Sequence, residues 1–194
     1  MKVAAAQQPV HEPALLIDQF APHSQFHSAR HRIIDAAPEE VYAAARGLDL
    51  TQVPEPLTDA ARWLRFLTAQ GHTWTRLAQA PEWTLLAERP GKEIVFGAVG
   101  GFLPPTTGWL ELEPRDFRDF EEPGYGKLVA GVSFRPYGHR RSLVSHDVRI
   151  VLADPRTWAR FHRYWPLTAP LVGRYQTATL KDIEAAATTL TPAR

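Results

Sequence analysis

Two alternating runs around a short tip place the tightest limit on how this chain can fold. KLVAGVSFRP and RSLVSHDVRIVLAD flank the tip YGHR. Leu128, Ala130, Val132 and Phe134 recur at every second position in the first run; Val144, His146, Val148, Ile150 and Leu152 do so in the second. A period of two is that of a strand with one buried face. If Phe134 pairs with Val144, parity puts both apolar sets on one side of the sheet and Ser145, Asp147 and Arg149 on the other. An antiparallel sheet can leave one face wet, but its apolar face needs a cover.

The stretch from Asp154 to Leu190 supplies that cover. Asp154-Pro155 is a helix start: the carboxylate can accept the free amide hydrogens of the first turn, and proline suits the first helical position. Trp158, Phe161 and Trp165 fall on one helical face. Pro166 and Pro170 each remove a donor and crowd the preceding turn, which predicts a break or kink between about residues 165 and 170. Thr168 is then a candidate cap for a second section. That section carries Val172, Tyr175, Thr179, Ile183, Ala186 and Leu190 on one stripe, against Arg174, Lys181, Asp182 and Glu184 on the others.

The rest of the chain reads as one strand, two short helices and further strands. Residues 1–24 form an N-terminal extension in which Leu15, Leu16, Ile17 and Phe20 suit a short docked helix. FHSARHRIID is a first strand. Pro38 opens a helix with Glu39 and Glu40 in its first turn, and Gly47 is placed to end it in a left-handed conformation. After the link VPEP, LTDAARWLRFLTAQG predicts a second helix, capped by Thr58 and stopped at Gly71. WTLLAER and KEIVFGAV flank the turn pair Pro90-Gly91, which predicts a hairpin with Leu85, Ala87, Ile94, Phe96 and Ala98 facing inward and Glu88 and Glu93 outward. Gly97, Gly100 and Gly101 suit either a bulge or bend in that strand or a loop. Residues 109–120 read as another strand or two, interrupted at Pro114. The expected organisation is an extension (1–24), a single domain (25–190) and a short tail (191–194).

Composition narrows the partners. The chain has 194 residues, enough for a core without staples. Lys and Arg number 22 against 21 Asp and Glu, a net of +1, which makes no overall electrostatic case for a nucleic-acid or membrane-surface partner. No cysteine is present, so disulfides, thiolate metal sites and a cysteine nucleophile are excluded. The opening MKVAAAQQPVHEPALL does not read as a secretory signal, and no apolar run approaches the roughly 20 residues needed to span a bilayer. A cytoplasmic location is the expectation.

The junction RHRIIDAAPEEVYAAAR, the hairpin AERPGKEIVFGAVGGF, the strand SHDVRIVLADP and the helical DPRTWARFHRYW together resemble the helix-grip superfamily over roughly residues 26–188. That superfamily holds START lipid-transfer domains, pollen-allergen-like proteins and polyketide cyclases and dehydrases, often grouped as SRPBCC. The resemblance implies an α+β fold: a curved antiparallel sheet of about six to seven strands wrapped around a long C-terminal helix, with two short helices after the first strand. It also implies a cavity between sheet and helix that holds an apolar or amphipathic small molecule such as a lipid, polyketide or terpenoid. Carriers, sensors and enzymes share this layout, so fold alone does not select among them.

Within that layout the candidate cavity residues are Leu85, Ile94, Phe96, Val132, Phe134, His146, Tyr164, Trp165 and Tyr175. By parity His146 points inward among Val144, Val148, Val132 and Ala130. It suits a ligand hydrogen bond or, with a polar partner such as Tyr164, Tyr175 or Arg89, acid–base chemistry of a cyclase, aromatase or dehydratase; a core histidine satisfied by its neighbours is the plainer alternative. His27 and His31 share a strand face but lack a zinc motif or an acidic ligand at useful spacing, so no metal is expected. Ser133 and Ser145 lack a nucleophile-elbow context, and no dinucleotide or phosphate loop is present, so no cofactor is expected. Asp147 and Arg149 read as a surface pair on the opposite face. Trp158, Phe161, Tyr164 and Trp165 read chiefly as packing, and the tip Tyr137–Arg141 as a solvated turn. Three functions follow: a carrier or binder of a hydrophobic small molecule, an enzyme using His146, or a protein-interaction module whose cavity is filled by its own side chains. A homodimer is compatible with each.

Overall fold

The computed structural model describes residues 14–48, 50, 83–103 and 106–190. The helix expected over 58–71 lies outside the described residues, as do residues 1–13 and 191–194. A 3-10 helix, Leu16–Gln19, precedes β1 (Phe26–Ile34), α1 (Pro38–Arg46), β2 (Thr84–Arg89), β3 (Glu93–Leu103), β4 (Thr106–Leu110), α2 (Pro114–Phe117), β5 (Gly126–Pro136), β6 (Ser142–Leu152) and α3 (Pro155–Leu190). The six strands form one antiparallel sheet in the order β1-β6-β5-β3-β2, and β4 pairs with the far half of β3. α3 lies across β1, β6 and β3 and against α1. This is the α+β, helix-grip architecture expected from the strand-and-helix order.

The central register follows the alternation. Phe134 pairs with Val144, Val132 with His146 and Ala130 with Val148. One face of the sheet packs on α3 through two clusters. Ile94, Val132, Phe134 and Val144 meet Leu180, Ile183 and Ala187 at the C-terminal half of the helix, joined by Val41, Ala44 and Ala45 of α1. Phe26, Ile150 and Leu152 meet Phe161 at its N-terminal half. Each such apolar side chain contributes about 1.5–3 kcal/mol when fully removed from water.

Four local expectations change. First, α3 runs unbroken from Pro155 to Leu190 through both prolines. Pro166 and Pro170 are exposed, and the carbonyls that lose N–H partners belong to His162 and Pro166, also exposed, so water can satisfy them. Thr168 caps nothing; its hydroxyl donates back to the carbonyls of Tyr164 and Trp165 at 3.3 and 3.2 Å. Second, the β2–β3 hairpin turns at Pro90-Gly91, with Gly91 at φ 73° and Lys92 N–H donating to Arg89 O, but a bulge at Leu86 shifts its register. Leu85 still pairs with Phe96, whereas Glu88 pairs with Ile94 and Ala87 with Val95. Ala87 therefore turns outward and Glu88 inward. Third, residues 114–117 form a short helix, and β3 continues through all three of its glycines. Fourth, Gly47 ends α1 at φ −79°, in the right-handed region.

The second face of the sheet is also covered. Leu16, Ile17, Phe20 and Ala21 pack on Val95, Val99 and Val129, with Phe117 beside them. Leu16 N–H donates to Glu93 Oε2 at 2.5 Å, and Arg89 holds the other carboxylate oxygen at 3.1 Å. Asp147 and Arg149 are thus no solvated pair. Arg149 reaches Asp147 Oδ2 at 3.2 Å, Asp18 Oδ1 at 2.7 Å and the carbonyl of Ala21 at 2.9 Å, largely out of water.

Candidate functional site

Between the two inner clusters the packing is incomplete. Along β5 the small Ala130 stands between Leu128 and Val132; on β6, His146, paired with Val132, faces Tyr175 of α3. The resulting crevice has a volume of about 10 Å³ and is lined by Leu50, Trp83, Phe96, Ala130, Val132, His146, Tyr175 and Thr179. Leu50 follows α1 and Trp83 leads into β2, so the two residues mark one side of the crevice.

His146 is the chemical centre of this space. It is 2 % exposed, and its Nδ1 has no hydrogen-bond partner among the described residues. Burial pushes its pKa down to about 4, opposed only in part by a backbone interaction with Gln176; the imidazole is therefore neutral at pH 7. The Tyr175 ring meets it edge-on at 5.3 Å between centroids, and the Tyr175 hydroxyl donates to the carbonyl of Leu50 at 2.7 Å. A second buried nitrogen on the same lining, the indole Nε1 of Trp83, also lacks a partner among the described residues. Buried polar atoms are nearly always hydrogen-bonded, and an unpaired one costs on the order of 1–3 kcal/mol.

What fixes His146 is a buried amide. Gln176, fully buried on α3, donates from Nε2 to the carbonyls of Ser28 and His146 at 2.8 and 2.9 Å and accepts from the Ser28 hydroxyl at 2.8 Å. It ties the helix to β1 and β6 one residue after Tyr175. At the start of α3, Asp154 accepts from the Thr157 hydroxyl at 2.6 Å, from Gly124 N–H at 2.8 Å and from the N–H groups of Arg156 and Thr157. Those donors, the Thr157 hydroxyl foremost, hold its carboxyl well below the usual carboxylate range.

Of the residues anticipated at the cavity, the structure brings together Phe96, Val132, His146 and Tyr175. Ile94 and Phe134 are buried in the cluster with Leu180 and Ile183, where Phe134 meets the Tyr42 ring at 5.7 Å. Trp165 packs at the other end, 5.3 Å from the Phe26 ring, and Tyr164 is half-buried outside the lining. Leu85 keeps its pairing with Phe96 but sits on edge strand β2, 40 % exposed and off the lining. Arg89 is engaged with Glu93 on the opposite face. His27 and His31 also point away from His146: His27 Nε2 lies 2.8 Å from Asp147 Oδ1, and His31 Nδ1 lies 2.8 Å from the Ser145 hydroxyl. Among the described residues no three His, Asp or Glu side chains cluster as metal ligands would.

Sequence reasoning missed Leu50, Trp83 and Gln176. Trp83 had a signal, since it shares the parity of Leu85 and Phe96; Leu50 and Gln176 had none, being placed by tertiary contact alone. It also missed the inward Glu88, which accepts from the Tyr42 hydroxyl at 2.5 Å and from Arg46 Nε at 2.7 Å. The Tyr42 hydroxyl, and then Arg46, hold its carboxyl below the usual range.

No family model matches the chain, and no curated protein does. Among solved structures it is similar to the protein TTHA0849 from Thermus thermophilus, at 15% identity and TM-score 0.34, over 86% of this chain and 99% of that one. It is also similar to truncated norcoclaurine synthase from Thalictrum flavum, at 12% identity and TM-score 0.33, over 89% and 98%. CalU16 from Micromonospora echinospora matches at 10% identity and TM-score 0.28, over 84% and 85%. At such identities and TM-scores these likenesses bear on no activity, and the functional reading rests on the site itself.

Proposed function

We propose that the protein binds a small, mainly apolar molecule carrying one or two polar atoms in the crevice beneath α3. The observation behind this is the pair of buried, unpartnered nitrogens, His146 Nδ1 and Trp83 Nε1, on an otherwise apolar lining. An apolar pocket with a few polar groups that set orientation is the ordinary form of a small-molecule site. A ligand hydroxyl or carbonyl would meet the indole N–H, and a donor or acceptor would meet the neutral imidazole. At about 10 Å³ the crevice is at the lower limit for one water, so admission of a ligand requires the Trp83 and Tyr175 side chains to move apart. Lipid, polyketide and terpenoid-like molecules are the classes that suit such a lining.

Acid–base catalysis is less well supported. A histidine with a pKa of about 4 is a weak base at pH 7, and the Tyr175 hydroxyl already donates its proton to Leu50. The second reading is a self-filled core that serves a protein-interaction module, and the same small volume favours it. Native mass spectrometry separates the two. The binding reading predicts an adduct of a few hundred daltons on freshly purified protein, removed by organic extraction and restored by adding back the extract. A bare mass before extraction, together with no uptake of C6–C10 alcohols or fatty acids, favours the self-filled core.

A further inference from the structure

The near-zero net charge hides a sharp segregation on α3. From Pro155 to Lys181 the helix holds no Asp or Glu. Arg156, Arg160, Arg163, Leu167, Pro170 and Arg174 recur at the spacing of a single helical ridge, and all six are exposed. This ridge faces away from the sheet, because Thr157 and Phe161 occupy the buried side. Leu167 on the ridge is 49 % exposed, whereas Trp158 lies on the other side of the helix, its ring stacked on that of Phe26 at 6.5 Å. Carboxylates appear only at the two ends. Asp154 caps the helix and Glu184 pairs with Arg32.

We propose that this face of α3 docks peripherally on an anionic lipid surface. Each cation near such a surface is attracted by its phosphate headgroups. An exposed leucine and proline among arginines suit the headgroup layer, where short apolar side chains settle. Nucleic acid offers the same phosphate charge, but Leu167 and Pro170 in the middle of the ridge leave it short of the polar donors that backbone and base contacts use. No helix among the described residues is long and apolar enough to cross a membrane, so the contact is with the surface. This surface stands independently of the crevice reading.

The test is co-sedimentation of the full chain with vesicles of phosphatidylcholine alone and of phosphatidylcholine mixed with phosphatidylglycerol. Expected are pelleting with the anionic vesicles only, and release as salt is raised. The triple variant Arg156→Glu/Arg163→Glu/Arg174→Glu is expected to bind at least about tenfold more weakly. Arg115→Glu, a charge reversal on exposed α2 well away from the ridge, is expected to bind as the parent does. Circular dichroism melting confirms that each variant is folded; if the triple variant is not, Arg163→Glu/Leu167→Ser must weaken pelleting with the anionic vesicles. Absence of pelleting with anionic vesicles, equal binding by the folded triple variant, or tighter binding to a random-sequence oligonucleotide than to the vesicles would each overturn the proposal.

Discussion

At the scale of single residues, His146 links the site to stability. Its pKa is about 4 in the folded protein against 6.5 for a free imidazole. Above pH 6.5 both states are neutral and the residue adds no pH dependence. Between 6.5 and 4 the unfolded chain binds a proton that the folded one does not, so stability falls as pH falls, by about 3 kcal/mol in all. Denaturant melts of the parent and His146→Leu between pH 7 and pH 4 should show the steeper acid loss only in the parent. Parallel curves would mean that the imidazole is solvated. Asp154 gives a second residue-level expectation. Asp154→Ala removes the cap of α3 and its link to Gly124, for a loss of about 1–2 kcal/mol; Asp154→Asn, which keeps an acceptor oxygen, should recover much of it in the same melts. The inward position of His146 was legible from alternation alone, because a period of two fixes the face of every residue in a register. Its lack of a partner was not, since that depends on Trp83, Tyr175 and Gln176 arriving from distant parts of the chain.

At the scale of elements, the bulge at Leu86 and Gly97, which pairs with Thr84 beneath the Leu86 side chain, act together. A Cβ at Gly97 would come within 2.5 Å of both Leu86 and the Phe117 ring. Gly97→Ala is expected to destabilise by about 1–3 kcal/mol through overpacking, read as a lower melting midpoint, and pairing it with Phe117→Leu should recover part of the loss. The segment 16–21 is equally structural. Ile17 is buried and lies against Gly131, so Ile17→Ala should cost about 2–5 kcal/mol; a change within experimental error would show that the segment does not hold the outer face. A one-residue slip in a hairpin leaves no mark in composition, which is why Ala87 and Glu88 exchanged faces. Cover on the outer face did leave a mark. Val95 and Val99 of β3 and Val129 of β5 stand on the parity opposite to Ile94 and Val132, and apolar residues on both parities are the pattern of a sheet buried on both sides. The unbroken helix is the converse: both prolines carry a real local cost, but both are exposed to water, and tertiary packing on the other side holds the helix through them.

At the scale of the whole molecule, one sheet is packed between a long helix and a short N-terminal segment, and its two inner clusters leave a gap lined by Ala130, His146 and Tyr175. The order of strands and the terminal helix were readable because each element carries its own period and its own stop signals. The gap was not readable, because a void is a property of facing side chains rather than of any one strand. The central claim is that this gap is a binding site whose polar anchor is His146 Nδ1. Nitrogen-15 NMR of histidine-labelled protein, titrated with 1-octanol and its C6–C10 homologues, tests it most directly. A saturable shift of the His146 Nδ1 resonance, absent in an Ala130→Leu variant that fills the gap and remains folded, is the predicted result. An His146 signal unmoved by every member of the series, while the protein stays folded, would contradict it and leave the core filled by its own side chains.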